Sequence, residues 1–425
     1  MKVGIAGMSH LGVVGTVALA TKGFDVVAFD TKLEVIEKLC NGAFEFYEPK
    51  LDEAYEKSKQ HIKWSNNIQD LADSELVFVA LDVESNELGS RDDSEVDVLV
   101  WMCLKTLKEN STLVINSQVL PGTTRRFIPF AKERNLHIFY QVETLILGEA
   151  LNRALHPERI IVGAEMELEF NELSAIYQEY LNQFDAPIVI MDFESAELSK
   201  ICINLFLVFS INFADTLSIV SKKFSANWNK IVEAMKLDSR IGKNSYLSPS
   251  LGLNGRNLIR DLRVVQQSLH EIHPYHGLIA SIEAVSESRR NILLDRIRHL
   301  TSKFALTKVF FFGLAYKEET SSLANSPSFL AYKQVSSNLK VDFYDSLISQ
   351  LPDGKRRIDF PNIELGDKVL VVISHKVPLH LRKQLLELAL DGNEIYVLDP
   401  HQSLDSSIRC AVRYYESLFK IENRF

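Results

Sequence analysis

Residues 2–30 read KVGIAGMSHLGVVGTVALATKGFDVVAFD, and the order of their parts decides the fold. A short apolar run (2–6) leads into the turn Gly7-Met8-Ser9-His10-Leu11-Gly12, then a helical run, then a second apolar run (24–29) that ends in Asp30. Strand, glycine turn, helix, strand and acid in this order describe a dinucleotide site. Pyrophosphate sits at the helix start, where backbone N–H groups point outward, and ribose hydroxyls sit on the acid. Asp30 favours NAD over NADP, because a carboxylate accepts from a hydroxyl and repels a phosphate in its place. Gly7 and Gly12 hold two of the glycine positions, while Ser9 stands where backbone must approach pyrophosphate closely. A serine nucleophile elbow would need glycine where Leu11 stands. A fold of this type that has lost its dinucleotide is the plain alternative, and Ser9 is its argument.

Working outward, further apolar runs at 76–81, 112–115, 137–141 and 159–163 alternate with helical runs. That alternation predicts a doubly wound parallel sheet with ligands at the carboxyl ends of its strands, near 82–84, 116–124 and 141–150. Glu143, in the otherwise apolar ETLIL, is either a base with a raised pKa or the first exposed residue after a strand. Thr123 and Thr124, after Leu120-Pro121-Gly122, read as a capped helix start.

The 425 residues exceed what one core holds and imply two or three domains. A net charge of −9 without a basic run argues against a nucleic-acid surface. Cys40, Cys103, Cys202 and Cys410 form no CxxC pair, which points to a reducing compartment and away from structural zinc. With no signal-like amino terminus, and with Asn204, Asn212 and Asp215 inside the one stretch of spanning length (201–220), the expectation is a cytoplasmic protein without a membrane role.

Residues 194–222, ESAELSKICINLFLVFSINFADTLSIVSK, lack Gly and Pro and predict one long buried helix. Glu197, Lys200, Asn204 and Asp215 fall within one sector of roughly 60 degrees, a polar stripe on an apolar rod. A Lys and an Asn one turn apart in such a helix point to a cavity for a polar ligand, because burial strips hydration that something must replace. The bland reading is a Glu197–Lys200 pair at a solvated helix start.

Beyond this helix, LDSRIG (237–242), the loop YLSPSLGLNGRNLIRD (246–261) and the SK-three-residues-N element of the helix together resemble the UDP-glucose/GDP-mannose dehydrogenase family. NGAFEFYEPKL (41–51), SQVLPGTT (117–124) and HPERIIVG (156–163) extend the resemblance over nearly the whole chain. It implies NAD-dependent oxidation of the primary alcohol of a nucleotide-linked hexose. The family uses two NAD and holds the intermediate aldehyde as a cysteine thiohemiacetal. By position, Lys200 and Asn204 would hold the reacting oxygen, Asp261 would assist through a water, and Glu143 would serve the later hydrolysis. The resemblance also assigns Arg260 to the cofactor and Leu145, Tyr246 and Gly252 to the substrate, and sends Arg240 to a neighbouring subunit's ligand.

The departures bear on the chemistry. Asn257 stands at the family's cysteine, and an amide cannot capture an aldehyde. Cys202 lies on the side of the helix away from the stripe and is no substitute. Leu147 replaces a glutamate, Glu84 a proline and Ala324 an arginine that contacts cofactor.

From about residue 302 a last domain begins, with strands expected at 308–312, 341–344, 369–373 and 394–398. GLAYK (313–317) and Ser326-Pro327 match the family's nucleotide-sugar domain, which makes Lys317 a substrate ligand rather than a loop lysine. His270, His273 and His276 are spaced in threes around Pro274 and do not suit a helical zinc site, so no metal is expected. Arg289, Arg290, Arg296 and Arg298 read as the solvated face of an amphipathic helix.

The expected architecture is α/β: two Rossmann-like doubly wound domains joined by a long central helix. Residues 1–192 would bind NAD, 193–300 would pair two subunits as a homodimer, and 301–425 would bind the nucleotide sugar, with a UDP-sugar favoured. The expected reaction stops at the aldehyde. The alternative is a degenerate, non-catalytic binder of nucleotide sugars.

Overall fold

The computed structural model describes residues 1–83, 92–269, 272, 274–360, 363 and 367–419. They divide into two compact units, 1–203 and 204–425. Glu84, His270 and His273 lie outside the described residues.

Among the described residues, the first unit is built on β1 (Lys2–Ala6), β2 (Asp25–Phe29), β3 (Ile62–Ser65), β4 (Leu76–Val79), β5 (Thr112–Ile115), β6 (His137–Gln141), β7 (Ile160–Ala164) and β8 (Ile188–Asp192). They lie in the order β3-β2-β1-β4-β5-β6-β7-β8. Neighbours are parallel except β6 and β7, which run antiparallel through Tyr140–Gly163 and Gln141–Val162. Alternate residues feed two apolar layers, Ile5, Phe78 and Val114 on one face and Val77, Leu113 and Ile115 on the other. Burial on both faces is why these strands read as continuous apolar runs. The strand order reverses between β1 and β4, which opens a crevice at their carboxyl ends.

The first helix, His10–Thr21, starts directly over that crevice. A Cβ on Gly12 would stand 1.8 Å from the Gly7 carbonyl oxygen, so only glycine lets the helix approach the turn this closely. Gly7 itself has φ +99°, a conformation L side chains rarely adopt.

The long helix runs Phe193–Lys223, one residue beyond the expected stretch at each end. Glu197, Asn204 and Asp215 are buried, while Phe206, Phe209, Phe213 and Val220 are exposed. At ~100 degrees per residue these two sets lie on opposite sides, so the helix turns its polar stripe inward and an apolar stripe outward.

In the second unit, helices Trp228–Leu237, Asn257–Ser268 and Tyr275–Phe304 precede a second sheet. Its strands are β9 (Lys308–Phe312), β10 (Lys340–Tyr344), β11 (Lys368–Ile373), β12 (Glu394–Leu398) and β13 (Tyr414–Glu416), all parallel in the order β10-β9-β11-β12-β13. This is the other common doubly wound order, with its switch point between β9 and β11.

The arginine cluster departs from expectation. Arg289 is buried, its guanidinium 3.0 Å from Asp215 Oδ1 and donating to the Ser250 carbonyl at 2.7 Å. Arg290 donates to the Leu253 carbonyl and Arg296 pairs with Glu416, leaving Arg298 as the exposed member. Periodicity identified the helix but not that its basic residues had buried acceptors.

Candidate active site

At the end of β2, Asp30 accepts from the Met8 N–H at 2.8 Å and the Lys32 N–H at 2.9 Å, which locks the turn to the acid. Ser9 is extended at the helix start, and its hydroxyl accepts from the Asp82 N–H at 2.8 Å. Asp82 Oδ2 in turn accepts from the Leu11 N–H at 3.3 Å. Beside the turn lies a pocket of about 380 Å³ lined by Met8, Ser9, His10, Val35, Lys38 and Phe46. Glycine approach, helix start and acid are thus placed as a dinucleotide requires, so Gly7, Ser9, Gly12 and Asp30 fit NAD.

Two buried carboxylates that the sequence reading gave no such task brace this region. Glu48 joins His10 Nε2 at 3.3 Å to the Gly148 and Ala150 N–H groups at 3.1 and 2.7 Å. Burial alone would raise its pKa, but the His10 ring and those N–H groups outweigh it and hold the carboxyl below its usual range. Glu197 accepts from the Gly122 N–H at 2.5 Å and the Thr124 N–H at 2.8 Å. The cap expected at Thr123 and Thr124 is therefore supplied from the long helix. Burial pushes Glu197 up despite these donors.

Glu197 does not pair with Lys200 at a solvated helix start. Lys200 Nζ lies 3.1 Å from Glu143 Oε2, both side chains largely enclosed. Glu143 Oε1 accepts from the Leu145 N–H. Glu143 and Leu145 line a pocket of about 720 Å³ together with Asn116, Gln141, Thr144 and Arg153.

In the second unit, Asn204 Nδ2 donates to Asp261 Oδ2 at 2.5 Å, and Arg260 Nε lies 3.2 Å from Asp261 Oδ1. Asp261 is fully buried. Asn257 begins helix Asn257–Ser268 and is exposed, on the face it shares with Asp261 one turn on. The preceding loop is tied down by Asp215, which accepts from the Ser250 N–H at 2.6 Å and its hydroxyl at 3.0 Å. Burial raises the Asp215 pKa against these bonds and Arg289. Gly252 has φ +93°, and a Cβ there would meet the Ser286 carbonyl at 2.4 Å. The Ala324 carbonyl accepts from the Gly255 N–H at 3.2 Å and anchors the loop through its backbone. Tyr246 and Lys317 are exposed, and Arg240 is held in the open by Asp238 at 2.6 Å. Among the described residues, no group of His, Cys, Asp or Glu is arranged to hold a metal.

Residues 1–181 match the NAD binding domain of the UDP-glucose/GDP-mannose dehydrogenase family, and residues 194–288 match its central domain. The chain belongs to this family. Among its relatives, UDP-glucose 6-dehydrogenase YwqF of Bacillus subtilis is 23% identical over 98% of this chain and 97% of its own length. UDP-glucose 6-dehydrogenase AglM of Haloferax volcanii is 26% identical over 86% of this chain and 87% of its own. Among solved structures, the UDP-D-ManNAc dehydrogenase of Pyrococcus horikoshii superposes with TM-score 0.78 at 18% identity, covering 98% of this chain and 99% of that one. The UDP-glucose dehydrogenase of Pyrobaculum islandicum gives 0.75 at 21% identity, covering 99% and 98%. The dehydrogenase family's fold therefore extends over the whole chain, beyond the two matched segments.

Proposed function

We propose that this protein oxidises the primary alcohol of a nucleotide-linked hexose, with a UDP-sugar as the preferred substrate, in a two-electron step that ends at the aldehyde. The observation that carries this is the pairing of Lys200 with Glu143 and of Asn204 with Asp261, from successive turns of one helix. Glu143 takes one of the three ammonium hydrogens of Lys200, and the others can meet a substrate oxygen. Lys200 and Asn204 would then hold that oxygen and stabilise the alkoxide as its proton leaves, with Asp261 as the acceptor through a water. NAD, when bound, supplies the hydride acceptor. Asn257 offers no nucleophile to retain the aldehyde, so release competes with further oxidation.

The remaining assignments belong to the same proposal. Arg260 completes the cofactor set, and Leu145, Tyr246, Gly252 and Lys317 contact the sugar nucleotide. Arg240 reaches the ligand of a second subunit. The outward apolar stripe of the long helix is where that second copy packs as a homodimer. Residues 1–192, 193–300 and 301–425 act as cofactor, pairing and substrate parts, and the enzyme works in the cytoplasm on small molecules alone.

The test is NADH formation with UDP-glucose and with UDP-N-acetylmannosamine. The proposal expects turnover with one of them, lost by roughly 10²- to 10³-fold in Lys200→Ala without a change in cooperative unfolding. A chain that binds both NAD and the sugar nucleotides yet forms no NADH is the non-catalytic binder instead. Full activity in Lys200→Ala with a large fall in melting temperature would make Lys200 structural.

A further inference from the structure

We propose that the Asp82 carboxylate is an internal stand-in for cofactor phosphate, seated at the start of the first helix and displaced whenever NAD binds. The start of a helix presents unpaired N–H groups and a positive dipole end, and this is where the pyrophosphate of a dinucleotide belongs. A serine at that boundary ordinarily caps such an N–H with its own hydroxyl. Among the described residues, Ser9 makes no such cap; its hydroxyl accepts from the Asp82 N–H at 2.8 Å. The Leu11 N–H instead donates to Asp82 Oδ2 at 3.3 Å. The two bonds cross the mouth of the turn in opposite directions and form a clasp. Each partner is needed: Ser9 orients the Asp82 backbone, and Asp82 returns its carboxylate to the helix.

The backbone leading to Asp82 is fixed, with the Ala80 N–H on the Ala6 carbonyl at 2.8 Å and the Leu81 N–H on the Ser117 hydroxyl at 2.8 Å. Asp82 itself is exposed. Its side chain can therefore swing out while the strand end stays in place. A carboxylate and a phosphate cannot share the Leu11 N–H, and two anions at one helix end repel. The clasp thus weakens cofactor binding and, because Asp82 is poised to return, hastens cofactor release. Ser9, which on the sequence alone obstructs pyrophosphate, here obstructs it mainly by recruiting a negative charge.

The inference rests on NAD using this turn. Calorimetric titration of the full chain with NAD would compare wild type with Asp82→Ala and Asp82→Asn, and with Glu109→Gln, which removes an exposed charge elsewhere. Removing the Asp82 charge should tighten NAD binding roughly three- to thirty-fold, with Glu109→Gln unchanged. Without NAD, Asp82→Ala should melt slightly lower, because a cap is lost. With saturating NAD, its melting temperature should rise by more than that of the wild type. Inorganic pyrophosphate should compete with NAD more strongly in Asp82→Ala. If wild type binds NAD and Asp82→Ala binds it equally or more weakly, the clasp is refuted and the cofactor reading stands. If neither protein binds NAD at millimolar concentration, both fail together.

Discussion

After β1 the Gly7 N–H donates to the Phe29 carbonyl and the Met8 N–H to Asp30 Oδ2, each at 2.8 Å; after β9 the Gly313 N–H donates to the Tyr344 carbonyl and the Leu314 N–H to Asp345 Oδ2, again each at 2.8 Å. Both glycines have positive φ, +99° and +90°. The two units thus build the same anchor from strand, glycine, strand and acid. Past the glycine they diverge. In the first, a helix starts at His10, and the Leu11 N–H of its first turn donates to Asp82 Oδ2. In the second, the next helix starts only at Pro327, and the His375 ring packs where a Cβ on Gly313 would lie, 2.3 Å away. Asp345 also accepts from Ala315, Leu347 and Ile348, and is 1% exposed. The acid locks a turn in both places, and only the first turn leads directly into a helix N-terminus.

That contrast breaks first at the acids. Asp345→Ala orphans four backbone N–H groups and should cost about 4 kcal/mol or more at ~1–3 kcal/mol each, discounted for relaxation. Asp30→Ala orphans two and should cost about half as much, but it should weaken NAD binding at least roughly tenfold. Urea unfolding and calorimetry measure the two quantities, and equal stability losses with no loss of NAD affinity would dissolve the distinction. The glycines come next. Gly12→Ala drives a Cβ into a backbone oxygen and should cost about 3 kcal/mol or more together with NAD binding, whereas Gly313→Ala meets a ring that can yield and should cost about 1–3 kcal/mol without touching NAD affinity.

The smallest effect concerns the Glu48 brace, which the first turn has through His10. Because the folded pKa of Glu48 is depressed, its ionised form stabilises the fold above its ordinary value of 4.5, and this contribution is lost as pH falls through the folded pKa. Wild type should exceed Glu48→Gln by about 1 kcal/mol at neutral pH, with the gap closing in acid. Glu197 should show the opposite sign. Its raised pKa means stability falls as pH climbs from 4.5 through the folded value, a slope that Glu197→Gln should flatten.

The parts of this molecule legible in its sequence are those written locally. β1, its glycine turn, β2 and Asp30 lie within residues 2–30, and both layers of a buried parallel strand leave continuous apolar runs. β3, reading IKWS, carries a polar residue in every second place and gives no apolar run; the edge strands β8 and β13 are likewise absent from the sequence expectation. The antiparallel β7 has no signature in its own residues, since direction is set by the path of the chain around it. Lys200, Asn204 and Asp261 stand out as candidates because helical spacing and family motifs mark their positions. The work of Glu197, Glu48 and Asp82 does not stand out, because each bonds residues at least 38 positions away. FEFYEPKL (44–51) holds two glutamates, and nothing local distinguishes the buried Glu48 from the exposed Glu45.

The central claim is an alcohol oxidation held by Lys200 and Asn204 without covalent capture of its product. The most direct measurement is the ratio of NADH formed to sugar nucleotide consumed, with mass spectrometry of the product in the presence of hydroxylamine. The account predicts about one NADH per sugar and an oxime of the nucleotide-linked aldehyde, because the proposed mechanism includes no side-chain nucleophile that captures the aldehyde. Two NADH per sugar and a nucleotide-linked uronic acid would contradict it.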